Sequence, residues 1–230
     1  MLRGFVLRVV LVCGVVGASL VTTAALATAR TDSASAHRPS KCVTAPPTHN
    51  GRSIIRELSA LRTRVWSTGL SWAAAAPQRP TDPTSPDDPA YQWPPALADQ
   101  LTQARAHGIE PVLNVSGFPS WSNGGRAAPW APKNPQDFAD FMAAAVQKYP
   151  QVRRWIIISE PGNFYNFRPQ GGDGRTAPHL YASLLDAAYG AMHAVRPDVV
   201  VIGGGVHPYG LNDQYTTAPD TFITNMVLPD

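Results

Sequence analysis

Between Thr63 and Ile202 the chain alternates short, continuously apolar runs with longer segments whose apolar positions recur at helical spacing. Thr63–Trp72, Ile109–Val115, Val152–Ser159 and Val199–Ile202 read as strands, because they are rich in β-branched and aromatic residues. Ser53–Leu61, Ala96–His107, Pro135–Tyr149, His179–Val195 and Asp220–Leu228 read as helices. Leu97, Leu101 and Ala104 share one helical face, as do Phe138, Phe141, Met142, Ala145 and Val146, and Gly108 closes the helix before it. Apolar strands alternating with amphipathic helices predict an α/β fold in which a parallel sheet is covered by helices.

The connections are asymmetric. Those before the strands are short, such as His107-Gly108 and Tyr149-Pro150-Gln151. Those after them are long and rich in proline, glycine and aromatic residues, as in Pro77–Pro95 and Gly117–Pro132. This pattern places binding chemistry at the carboxyl ends of the strands, where parallel barrels and doubly wound sheets both carry it. Glu160 stands there. The run Val152–Ser159 leads straight into Glu160, and Pro161-Gly162-Asn163 follows to fix the turn. A carboxylate in this position suits proton transfer.

Charge and composition exclude several alternatives. The net charge is +3 with only 15% charged residues, and no basic stripe is present, so a nucleic-acid partner is not expected. The glycines Gly203-Gly204-Gly205 are not followed by the Gly-Lys-Ser/Thr of a phosphate loop, which argues against a nucleotide site. The six histidines are scattered, none at i and i+4, so neither a metal nor another cofactor is expected. Of the three glutamates, Glu57 falls on the first helix and Glu110 at the start of a strand, the end away from a barrel's active site.

Residues 1–29 read as an export signal: Arg3 and Arg8 precede the mostly apolar Phe5–Leu26, and Ala27-Thr28-Ala29 offers small residues for cleavage. Gly14, Gly17, Ser19, Thr22 and Thr23 interrupt the apolar run and favour cleavage over a membrane anchor. The mature protein is therefore expected to be secreted, without stable membrane insertion. Residues 30–50 read as a flexible linker and 51–230 as one domain. Within the mature chain Cys42 has no second cysteine, so it is either a free thiol or half of a bridge whose partner lies elsewhere.

Several stretches resemble clan A glycoside hydrolases in consecutive order: Arg64-Val65-Trp66, Ser71-Trp72, Ala104 to Leu113, Pro119-Ser120-Trp121, Phe138 to Pro150, Trp155 to Asn163 and Gly203-Gly204-Gly205. The nearest likeness is to exported cellulase-like or xylosidase-like (β/α)8 barrels of the actinobacterial type, and it covers roughly residues 50–228. The resemblance implies a partial TIM barrel of parallel strands with four to five β/α units, truncated after the fifth strand. It also implies hydrolysis of O-glycosidic bonds in an oligosaccharide or polysaccharide, with Glu160 as general acid/base. The family's Asn-Glu-Pro motif is here Ser159-Glu160-Pro161. Its nucleophile, a glutamate of the seventh strand, is missing from this chain, so a non-catalytic, sugar-binding remnant is the alternative.

The expected substrate-binding residues are Ser159, Arg64, Asn114, Trp121 and Tyr165. Arg64 would orient carboxylates at the barrel mouth or else lie on the surface. Asn114 at a strand end would bond a sugar hydroxyl, while Trp121 and Tyr165 would stack on sugar rings. Asp213 and Asp173 read as loop and turn residues, and His207 as a loop histidine packed on Tyr209. An unclosed sheet leaves two exposed edges, so self-association is expected.

Overall fold

The computed structural model describes residues 40–228. The expected export signal and the first part of the linker lie outside the described residues. The linker's remainder contributes structure instead: strand β1 (Cys42–Thr44) is followed by a hairpin of β2 (Thr48–His49) and β3 (Arg52–Ser53). Polar and β-branched residues of this stretch lack any visible period, and β1 forms because it pairs with a strand more than twenty residues away. No propensity within the segment announces that pairing.

Helix α1 (Ile55–Ala60), strand β4 (Val65–Ser71) and the short helix α2 (Trp72–Ala75) come next. Helix α3 (Leu97–Ala106), strand β5 (Glu110–Ser116) and the short helix α4 (Ser120–Asn123) follow. Then come helix α5 (Pro135–Lys148), strand β6 (Arg154–Ile157), helix α6 (Thr176–Val195), strand β7 (Val200–Gly203) and helix α7 (Pro219–Thr224). Five strands form one parallel sheet in the order β1-β4-β5-β6-β7. All the strands seen in the hydrophobic pattern are present, and β1 adds the first position.

Local signals account for the helix starts. Pro135 opens α5 at a position where its missing N–H is not needed, and the Asn134 side chain accepts a hydrogen bond from the Gln136 N–H at 3.1 Å. Helix α6 starts at Thr176, three residues before the expected His179, because Pro178 falls within the first turn and is tolerated there. Its neighbour α5 buries Phe138, Phe141, Met142 and Val146 in a core shared with α6 and the sheet. Each such side chain contributes roughly 2 kcal/mol by leaving water.

The two faces of the sheet differ. Trp66, Leu70, Leu113, Val115, Trp155 and Ile157 are fully buried under the helices. Alternate residues point the other way. Gly69, Asn114, Ile156 and Ile202 are Cα partners in register across β4, β5, β6 and β7, and all of them are exposed or only half buried. Near the amino-terminal end of this less covered face, Glu110 forms an ion pair with Arg154.

Candidate functional site

Because the strands are parallel, one end of the sheet collects every strand exit. Ser71 of β4 and Ser116 of β5 pair there, as do Ile157 of β6 and Gly203 of β7. Glu160 leaves β6 at this end. The strand stops at Ile157, two residues earlier than its apolar run suggests, because the backbone turns left-handed: Ile158 has φ of 55° and Glu160 of 51°. A β-branched residue rarely adopts that conformation, and each such residue costs about 1–3 kcal/mol, which persists only where surrounding contacts enforce it.

Those contacts come from the turn itself, from the glycines that follow β7 and from α6. The Glu160 N–H donates to the Gly205 carbonyl at 2.9 Å, and the Glu160 carbonyl accepts from the Asn163 N–H at 3.0 Å. Gly204 lies so close to the turn that a Cβ there would stand 1.6 Å from the Ile158 carbonyl oxygen. The triple glycine therefore serves close backbone approach. The buried Tyr181 hydroxyl completes the clasp, donating to the Ile157 carbonyl and accepting from the Gly204 N–H at 2.7 Å. Burial pushes the Tyr181 phenol up to about 12, with the Gly204 N–H working against it, so the hydroxyl stays protonated and able to donate.

A second tie holds the other side of the turn. The Gln170 amide, 1% exposed, donates to the carbonyls of Pro161 at 2.9 Å and Phe167 at 2.8 Å, while the Thr217 hydroxyl donates to its oxygen at 2.8 Å. The Thr217 N–H also donates to the Gly162 carbonyl at 2.9 Å. Tyr181, Gly204, Gln170 and Thr217 are the positioning residues that sequence reasoning missed. Only the glycine run offered a signal, and it reads equally well as a flexible loop.

The expected site residues fall into two groups. Asn114, Ser159 and Glu160 come together: the Asn114 amide donates to the Ser159 hydroxyl at 3.0 Å, directly beside the glutamate. The Asn114 carbonyl oxygen is buried without a partner. Tyr165 stands on the loop after Glu160, 73% exposed, with its ring centroid 4.1 Å from that of Phe164. Glu160 itself is half buried and makes no ion pair among the described residues.

Arg64 takes the surface position, one of its two expected places, and Trp121 is engaged by protein groups. Arg64 directly precedes β4, so it stands at the amino-terminal end of the sheet, exposed and near Gly108, away from Glu160. It cannot orient a carboxylate at the mouth. The Trp121 ring is already engaged: it meets Trp72 edge-on at 5.4 Å, carries the Arg79 guanidinium at 4.4 Å and donates its N–H to the Ala76 carbonyl at 2.8 Å. One ring face and the indole N–H are thus already taken by protein groups.

Other candidates have structural work. The Asp213 carboxylate accepts from the N–H groups of Tyr215 at 2.8 Å and Thr216 at 2.7 Å, which holds its carboxyl below the usual range. Asp173 accepts from the N–H groups of Thr176 and Arg175 and from the Thr176 hydroxyl, and these bonds lower its carboxyl to about 2. His207 lies against Tyr209, ring centroids 6.2 Å apart.

Outside this chain, no family model matches the sequence, and no curated protein does. Solved structures are similar in fold. A family 39 glycoside hydrolase from Bacteroides cellulosilyticus WH2 superposes with a TM-score of 0.54 at 18% identity over 72% of this chain and 31% of that one. A glucosidase from Croceicoccus marinus gives 0.55 at 16% identity over 73% of this chain and 36% of that one. The chain thus spans about a third of the length of these enzymes. With its parallel strands in barrel order and its long loops gathered at the carboxyl ends, the chain has the fold of part of a glycoside-hydrolase (β/α)8 barrel.

Proposed function

We propose that this chain takes part in hydrolysing O-glycosidic bonds of an oligosaccharide or polysaccharide, with Glu160 as the general acid/base. The observation that carries the reading is the position of Glu160: a carboxylate without an ion pair among the described residues, at the carboxyl end of a parallel sheet, on a left-handed backbone turn held by the glycines that follow the next strand. Strain retained at a strand exit points to a group whose direction matters. The fold shared with glycoside hydrolases supplies the reaction class.

In this reading the protonated Glu160 gives its proton to the oxygen of the departing sugar as the glycosidic bond breaks, and then takes a proton from the incoming water. Asn114 and Ser159 hold a sugar hydroxyl beside the scissile bond. Tyr165 offers an open ring to a sugar face. Retention of anomeric configuration requires a second carboxyl group roughly 5 Å from the first. Asp213 is committed to its own loop and does not supply that group. An extracellular location is part of the proposal, supported by the apolar N-terminal segment with its small-residue exit.

The test compares the chain with Glu160→Gln on a panel of aryl glycosides. Measurable turnover that falls by about a hundredfold or more in the variant supports the acid/base role. Equal inactivity of the two, with sugar binding retained, replaces the enzyme by the sugar-binding reading, which the open aromatic rim at Tyr165 would serve.

A further inference from the structure

Beside the Glu160 turn a groove of about 370 Å³ is lined by Trp130, Phe164, Arg168, Gln170, Gln214 and Tyr215, among others. Its volume falls within the range of small-ligand clefts, about 300–1,000 Å³. The walls are built by three loops locked together. Arg168 donates its backbone N–H to the Pro129 carbonyl at 2.7 Å and accepts from Ala131 at 2.8 Å, and Phe164 donates to the Tyr215 carbonyl at 2.9 Å. The ring of Phe164 meets that of Tyr215 edge-on at 5.0 Å.

The charge in the groove is unbalanced. The Arg168 guanidinium lies over the Phe164 ring at 4.6 Å, and its Nε donates to the Phe164 carbonyl at 2.8 Å. Its terminal amino groups find no hydrogen-bond or ion-pair partner among the described residues, although the side chain is half buried. A second guanidinium, Arg126, lies 4.2 Å over the Trp130 ring. The acids in the adjoining loops, Asp173 and Asp213, have their carboxylates turned onto backbone N–H groups. A partly desolvated guanidinium held in place by its own Nε, with its outer fork open, matches an oxyanion better than it matches water.

We propose that this groove binds an anionic sugar residue, carrying a carboxylate or a sulfate ester, with Arg168 pairing the anion and Trp130 and Tyr215 flanking the ring. The proposal rests on the carbohydrate reading of the site and names the substrate class within it. It makes Arg168 a specificity-determining residue. A neutral glycan would leave the fork unpaired, whereas an acidic one would satisfy it.

The test is calorimetric binding to the full chain carrying Glu160→Gln, so that no probe is consumed. The probes are cellotriose, its carboxylate analogue cellotriouronic acid, and cellotriose 6-sulfate. An anionic probe should bind at least tenfold more tightly than cellotriose, and the stronger of the two anions identifies the natural group. Arg168→Gln should remove that advantage, Arg168→Lys should keep part of it, and cellotriose should be unaffected. Should Arg168→Gln fail to fold, raising NaCl from about 0.05 to about 0.5 M decides instead: anion binding must weaken while cellotriose binding holds. Equal affinity for neutral and anionic probes, or an anion affinity indifferent to salt and to Arg168→Gln, overturns the proposal. Binding of the anions without turnover by the unsubstituted chain would overturn only the hydrolytic reading.

Discussion

The Asn114 amide donates a hydrogen bond to the Ser159 hydroxyl at 3.0 Å, joining the middle of β5 to the residue before Glu160. The bond ties β5 to the turn that follows β6 and fixes the orientation of the Ser159 side chain next to the glutamate. It leaves the Asn114 carbonyl oxygen buried and unpaired, a cost of about 1–3 kcal/mol that a purely structural pair would have little reason to carry.

Replacing Asn114 by Ala should therefore lower turnover or sugar binding about tenfold while leaving the melting temperature nearly unchanged, since one hydrogen bond is lost together with one unpaired acceptor. Steady-state kinetics on aryl glycosides beside a thermal melt would check both halves. A large fall in stability with unchanged sugar handling would show that the pair serves the fold alone.

The clasp between β6 and β7 predicts two graded losses of stability. Tyr181→Phe removes one hydroxyl and strands the Ile157 carbonyl and the Gly204 N–H, costing about 1–3 kcal/mol in denaturant unfolding. Gly204→Ala drives a methyl group into the Ile158 carbonyl and should cost about 3 kcal/mol or more, with soluble yield collapsing. A Gly204→Ala protein as stable as the parent would mean that the two strand exits stand farther apart.

Asp173 makes stability depend on acid. Its carboxyl is lowered to about 2 in the folded protein, below the roughly 3.9 of an unfolded chain. Stabilisation from its bonds to Thr176 and Arg175 is thus complete above pH about 4 and is lost as the pH falls toward 2. Melts of Asp173→Asn across this window should show a shallower decline than the parent. Parallel curves would remove Asp173 from the acid response.

Strands β1 and β7 are the edges of the five-stranded sheet, and each leaves a row of backbone groups without a strand partner among the described residues. Such edges pair with one another when solvent reaches them. The chain should associate in a concentration-dependent way in light scattering. A monodisperse monomer over the tested range would refute this.

What was legible in the sequence was local. A period of three to four residues marks a helix and an unbroken β-branched run marks a strand wherever they occur, so the alternation of elements could be read directly. The placement of Glu160 at a strand exit followed from the run that precedes it and the proline behind it. Asn114 was legible for the same reason, standing near the end of the run Ile109–Val115. Elements without a period, such as β1 and the hairpin β2-β3, were not visible, because they exist through pairing rather than through their own composition.

The amino-acid order by itself determined that this is a parallel α/β chain with its long loops at the strand exits, and that Glu160 stands at one of those exits. Only the tertiary structure decided which neighbours serve it. Arg64 and Trp121 were plausible by their chemistry. Arg64 stands at the amino-terminal start of β4, the end away from Glu160, and Arg79, Trp72 and the Ala76 carbonyl already engage Trp121. Packing brought Tyr181 against the Glu160 turn from 24 residues away, Gly204 from the exit of the next strand and Gln170 from nine residues further along the same loop. Periodicity records which face of an element is apolar; which groups meet across elements depends on register and crossing, and those are set by the packed core as a whole.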